Sequence, residues 1–321
     1  MVHAPQPADT GRSRTFRVFG HEVPAPELAA GLYLVATPIG NLGDVTLRAL
    51  ATLAGAATIA CEDSRVTRRL VDRYGITAPL LPYHDHNAEA MRPRILALLD
   101  AGAAVALVSD AGTPLISDPG FKLVEAAQAA GHTVTAVPGP SAVLAALTAS
   151  GLPTDSFFFE GFLPPRETAR LKRIDELAAV PGSLVFFEGG SRVAAMLADL
   201  AARLGDRPAA VCRELTKLHE EIARGGLAAL AQAWRDGAET RGEFVVVVGP
   251  PRPDEATGAA DLDVLLAAAL ATQSLKDAVE AVTVATGEKR RVVYRRALAL
   301  TQPRDASERN AQENDRHETG E

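Results

Sequence analysis

Cysteine is nearly absent: the 321 residues hold only Cys61 and Cys212. Two thiols cannot build a secreted disulfide framework, and no C-x-x-C pair exists to form a zinc knuckle, so a reducing cytoplasm is the expected setting. No run of 18 or more apolar residues occurs, so no membrane span is expected. An excess of positive charge is missing too. Lysine and arginine total 33 against 40 acids, a net charge of −7. That excludes a uniformly basic nucleic-acid binder and requires any such partner to be met by a local patch. Part of the acidity is terminal, since residues 301–321 carry six acids and three arginines. No two glycines stand at i and i+2, and no Gly-Lys-Ser/Thr string occurs. The usual dinucleotide and triphosphate loops are therefore absent. Nor is there a repeat at a solenoid period.

What remains is an ordinary globular composition, 47% hydrophobic and 23% charged, and a length that suits two modest domains plus tails. Residues 1–30 contain Arg12, Arg14 and Arg17, four prolines and no continuous apolar segment, and read as a disordered extension. Residues 31–150 alternate short apolar runs (Leu32–Ala36, Ala57–Cys61, Ala104–Val108, Thr133–Val137) with helical patterns, the signature of an α/β layer on a mainly parallel sheet. Asp44, Asp63 and Asn87 are candidate helix N-caps, and Gly75, Gly102 and Gly131 candidate helix ends. Residues 151–250 form a second α/β series, with strands expected at Phe157–Glu160, Ser183–Phe187, Ala209–Arg213 and Glu243–Val248. The string Pro250-Pro251-Arg252-Pro253 reads as a stiff linker. Beyond it, helices are expected at Asp261–Thr272, Ser274–Thr286 and Glu288–Leu300, a small helical domain over residues 261–300. Residues 301–321 read as a disordered acidic tail.

In an open α/β sheet, ligands bind beyond the carboxyl ends of the strands. Three loops there are rich in glycine, proline and small hydroxyl residues: Thr37 to Asp44, Ser109 to Gly120, and Pro138 to Ala142. The second is too long for a simple connection, and long ordered loops are usually functional. In the third, Ser141 is placed to cap a helix. Without phosphate loops, such a site suits a nucleoside with a sulfonium side chain, held by backbone amides, carbonyls and carboxylates.

The strings LYLVATPIGNLGDVTLRAL, CEDSRVTRRL, YHDHN, LVSDAGTPLISDPG, VPGPSAVLAAL, GLPTDSFFFEGFLP, RELTKLHEE and RGEFVVVV occur in that order. Together they resemble the tetrapyrrole (corrin/porphyrin) methylases, in particular the branch that methylates small-subunit ribosomal RNA. The resemblance spans residues 31–249 and extends more weakly over the C-terminal helices. It implies two α/β domains with the cofactor in the cleft between them, and S-adenosyl-L-methionine as that cofactor. It further implies 2′-O-methylation of a cytidine ribose in the decoding region of 16S ribosomal RNA, a cytoplasmic homodimer, and the small ribosomal subunit with its RNA as partner. Matching the motifs puts Pro38, Asp110, Gly112, Ile116, Ser141 and Ala142 on the cofactor from the first half. Phe187, Leu215, Thr216, Gly242 and Glu243 are their counterparts in the second. Two strings depart from the pattern. Phe187-Glu188-Gly189-Gly190-Ser191-Arg192 lacks the usual histidine, and Glu62-Asp63-Ser64-Arg65 has serine in place of threonine.

Methyl transfer to a ribose hydroxyl needs in-line positioning and a group to take a proton. Candidate catalytic residues are Asp63, Arg65, His84, Asp85 and Glu188, with His86 beside them. The His84-Asp85-His86-Asn87 string reads equally as a polar loop before a helix. It lacks partners at known zinc-ligand spacing, and no metal is expected. Three basic runs are candidate phosphate patches: Arg65, Arg68, Arg69 and Arg73; Arg166, Arg170, Lys172 and Arg173; and Lys289, Arg290, Arg291, Arg295 and Arg296 around Tyr294. The third suggests a helix-turn-helix-like RNA contact. Cys61, Cys212 and Trp234 read as packing residues. A tetrapyrrole methylase and a ribosome-assembly factor without methylation are the competing readings.

Overall fold

The computed structural model describes residues 14–251, 259–286, 288 and 290–301. Gly287, Lys289, Arg12 and the acidic tail beyond Thr301 lie outside the described residues. The chain divides into two compact units at Pro250/Pro251.

The first unit opens with a hairpin, β1 (Thr15–Val18) and β2 (His21–Pro24), paired antiparallel. This corrects the reading of residues 1–30 as wholly disordered. Phe16 is buried in the same cluster as Leu50, Leu53 and Ile59, so the hairpin is anchored by apolar burial despite its prolines. Next come β3 (Gly31–Val35), a short 3-10 turn (Leu42–Asp44), α1 (Leu47–Gly55), β4 (Thr58–Cys61), α2 (Ser64–Arg73), β5 (Leu80–Pro82), α3 (Ala88–Asp100), β6 (Ala104–Val108), α4 (Phe121–Ala129) and β7 (Val134–Val137). The five strands from β3 to β7 form one parallel sheet in the order β5-β4-β6-β3-β7. Apolar clusters cover its two faces, which is why β4 and β6 are apolar without alternation. Connections from β3 run to one side and from β6 to the other, so the crevice of this sheet falls beyond β3 and β6.

A helix, α5 (Ala142–Ser150), leads to the second half: β8 (Phe157–Phe162), α6 (Glu167–Leu177), β9 (Ser183–Gly189), α7 (Gly190–Leu204), β10 (Pro208–Arg213), β11 (Glu221–Gly226), α8 (Leu227–Arg235) and β12 (Glu243–Val248). The sheet order is β11-β10-β12-β9-β8, with β8 and β9 parallel and the other pairs antiparallel. One face packs on α6, α7 and α8 through Phe186, Leu197, Trp234 and Val246. The opposite face is covered by α5, whose Val143, Ala146 and Leu147 meet Val185, Cys212, Val245 and Val247. By sequence α5 ends the first half, but its apolar stripe is buried on the second sheet. Arg224 reinforces this by donating to the carbonyls of Ala149 and Ser150.

Capping corrects two expectations. Asp44 lies within the 3-10 turn, and Thr46 caps α1, its hydroxyl accepting from the Ala49 amide. Asn87 precedes α3 but bonds backward, accepting from the His84 amide and donating to the Pro82 carbonyl. Asp63 and Ser141 cap α2 and α5. Gly75, Gly102 and Gly131 end helices at positive φ, which glycine adopts without a Cβ penalty.

The second unit contains α9 (Ala259–Leu270), α10 (Leu275–Thr286) and α11 (Arg290–Thr301), packed through Leu266, Val279, Val282, Val293 and Ala297.

Candidate active site

The three loops singled out in the sequence lie together at the carboxyl ends of the parallel strands, tied by hydrogen bonds. Thr37 and Gly112 exchange both backbone bonds, at 2.8 and 3.0 Å, and the Thr113 hydroxyl donates to the Pro140 carbonyl at 3.2 Å. Gly112 has φ +79°, a left-handed conformation natural to glycine. Leu115 and Ser117 are held there too, at φ +74° and +63°, and non-glycine strain of this kind persists where surrounding structure enforces it.

A cleft of about 490 Å³ opens between these loops and the second sheet. Of the residues expected on the cofactor, Asp110, Gly112, Ile116, Ser141, Ala142, Phe187, Leu215 and Glu243 line it. Pro38 instead lines a second cavity of about 570 Å³ that shares Ile39, Asp110, Ala111, Lys217 and Glu243 with the first. Thr216 and Gly242 line neither, but both shape the wall. Thr216 sits at φ +65° before Lys217, and a Cβ on Gly242 would lie 2.7 Å from Glu214. Cys212 lines the first cavity, and burial pushes its thiol up to about 11.

The expected catalytic set is dispersed. Glu188 lines the cleft and is 3% exposed. Its Oε1 accepts from the Gly189 amide and from Arg192 Nε, both at 2.8 Å, so Arg192 balances its charge. Asp63 and Arg65 are given to one another: Arg65 Nη2 meets the Asp63 carboxylate at 2.6 Å, and hydrogen bonds from the Arg65 side chain and amide hold that carboxyl at about 2. Neither lines a cavity, and their side chains point to local capping of α2. His84, Asp85 and His86 lie in the β5–α3 loop and likewise line neither cavity.

Three chemical groups on the cleft escaped the sequence reading. Glu62, the first residue after β4, is pushed up by burial and by the neighbouring Asp110, Asp118 and Asp85. Asp118, the second acid of the long loop, is pushed up to about 6, mainly by burial. The Ser109 hydroxyl works against that rise, and Asp110 and Asp85 add to it. Lys217 donates to Glu214 and Glu243, each at 2.8 Å. Partial burial opposes its charge, but the two carboxylates outweigh it and hold the ammonium above its ordinary value. Their positions supply the signal: each follows or approaches a strand end, where ligands collect.

The basic runs differ in what they are free to do. Arg170 is paired with Asp199 at 2.6 Å, Arg173 with Glu160 and Glu176, and Arg296 with Asp263. Arg68, Arg69 and Arg73 are exposed on α2 and make no ion pair among the described residues.

The fold and the cleft are those of a class: the family model for Tetrapyrrole (Corrin/Porphyrin) Methylases matches residues 31–231, and the chain belongs to that family. In solved structures the same fold occurs in a methyltransferase CobJ (TM-score 0.52, 23% identity, 69% of this chain and 94% of that one) and in a diphthine synthase (TM-score 0.54, 15% identity, 68% and 89%). Among closer relatives, the Ribosomal RNA small subunit methyltransferase I of Mesorhizobium japonicum is 50% identical over 280 residues, covering 87% of this chain and 95% of its own. The protein of that name from Pseudomonas aeruginosa is 44% identical over 276 residues, covering 84% and 97%. The model for the RsmI C-terminal HTH domain matches residues 256–301. Within the methylases, the chain is a member of this small-subunit methyltransferase I group.

Proposed function

We propose that the protein methylates the 2′-hydroxyl of a cytidine ribose in the decoding region of 16S ribosomal RNA, acting on the small ribosomal subunit. S-adenosylmethionine is the methyl donor. The observation that carries the reading is the charge of the 490 Å³ cleft. Five carboxylates line it against one cation, Lys217, which two glutamates already neutralise. Ile39, Phe162, Phe187, Leu215 and Val245 supply apolar surface for a ring. Such a site repels phosphate and suits a cationic, phosphate-free nucleoside. Pro38, Asp110, Gly112, Ile116, Ser141 and Ala142 would hold it from one side, and Phe187, Leu215, Thr216, Gly242 and Glu243 from the other. The donor supplies a methyl group on a sulfonium, which an oxygen placed in line can accept.

The chain's own groups then manage the proton. Asp118 fits that role better than the residues first suspected. Its carboxyl, at about 6, is ionised at neutral pH yet basic enough to accept a proton. Asp63, held at about 2, is a poor base. Glu188 with Arg192 acts as a fixed wall. Asp85 contributes from outside the cavity, through its charge on Glu62 and Asp118. Phe157 and Phe158 of the edge strand β8 are exposed, at an edge that a second copy would cover in a cytoplasmic homodimer.

The test incubates purified protein with labelled S-adenosylmethionine and undermethylated small subunits, then maps the label by nuclease digestion. Label on one cytidine ribose is the expected result. Label on an added tetrapyrrole alone, or subunit binding with no transfer, overturns the reading.

A further inference from the structure

Donor chemistry accounts for the first cavity but not the second, which is of similar size, about 570 Å³, and differently lined. Its floor is the loop Thr37 to Gly40, and one side is α2, presenting Val66, Thr67, Arg69 and Leu70. Five residues are common to both cavities. The partition is thin, because the first loop runs against Lys217: a Cβ on Gly40 would clash with its Cγ. A group held in one cavity therefore lies one side chain away from a group held in the other.

The decisive difference is the charge that is left free. Lys217 is consumed by Glu214 and Glu243, whereas Arg69 at the rim has no carboxylate partner among the described residues, and Arg68 beside it and Arg73 one turn on have none either. In a chain of net charge −7, Arg69 is the arginine that lines either cavity, and with no carboxylate partner among the described residues it is free to meet an anion there. Resting on the function proposed above, we propose that this second cavity seats the target nucleotide of the RNA. Its ribose lies at the Lys217 partition with the 2′-hydroxyl turned into the first cavity, which Asp118 lines, and the adjoining phosphate lies against Arg69. Arg68 and Arg73 follow the flanking backbone, positioning the strand without reading its sequence.

The test compares Arg69→Gln with Arg235→Gln, which removes the same charge from α8, away from both cavities. Binding of undermethylated small subunits is measured by fluorescence across a salt series, donor affinity by calorimetry, and turnover by label transfer. For Arg69→Gln we expect subunit binding weakened about fivefold or more and a log-log salt slope shallower by about 1. Donor affinity should stay within about twofold, with Arg69→Lys recovering part of the loss. Unchanged subunit binding, an equal loss in Arg235→Gln, or loss of donor affinity would each overturn the seat. Wild-type protein that binds subunits through Arg69 but transfers no methyl would keep the seat and overturn the reaction.

Discussion

Asp118 is where the residue scale is most informative, because stability and chemistry pull in opposite directions there. A carboxyl raised from 3.8 to about 6 in the folded chain binds its proton more tightly than in the unfolded chain. Folding stability from this group is therefore full below about pH 4 and is lost as pH rises through about 6. Asp118→Asn removes the penalty. At pH 7.5 we expect the variant to unfold at higher denaturant, by ~1 kcal/mol after screening of a part-exposed group, with the difference from wild type vanishing near pH 4. At saturating donor its methyl transfer should fall about 100-fold, the magnitude of a lost general base. An unchanged rate would remove Asp118 from the proton path.

At the scale of elements, the three tied loops make a sharper prediction than any one side chain. Gly112 and Gly102 both occupy the left-handed region, at φ +79° and +77°, so alanine at either costs about 1 kcal/mol of strain. Gly102 ends α3 with no neighbouring atom within 4 Å of a built Cβ, whereas Gly112 carries the bridge to Thr37. Both variants should lose similar thermal stability, but only Gly112→Ala should weaken donor binding, several-fold by calorimetry. Equal donor affinities would mean that the bridge does not organise the cleft.

The same scale explains what was legible in the sequence. Strands buried on both faces, such as Ala104–Val108 and Glu243–Val248, announce themselves as apolar runs. The edge strands β5 and β11 do not, one being three residues long and the other carrying Arg224 and two glycines, because an edge needs less apolar surface. The cleft loops were readable from their composition. Lys217 and Asp118 were legible only by position near strand ends, since their chemistry depends on tertiary surroundings: Glu243 for the first, burial for the second.

For the whole molecule, the division at Pro250/Pro251 sets apart two units of different surface chemistry. The first unit contains both cavities. The second presents Arg290, Arg291 and Arg295 as exposed cations on α11 beside the half-exposed Tyr294, in the segment matched by the HTH family model. A chain ending at Pro250 should bind S-adenosylmethionine as wild type does but bind small subunits more weakly, with a shallower salt dependence. Equal subunit affinity would assign all RNA contact to the first unit.

The placement of α5 also bears on how the protein is made. Its apolar stripe emerges from the ribosome with the first sheet, but its cover includes Val245 and Val247 on β12, about 100 residues later. At ordinary elongation rates that leaves Val143, Ala146 and Leu147 incompletely covered for roughly 5 to 20 s of synthesis. The two halves therefore cannot mature one after the other as independent domains. The nascent chain is expected to depend on chaperones during that interval, and a circular permutant in which α5 follows β12 should shorten it.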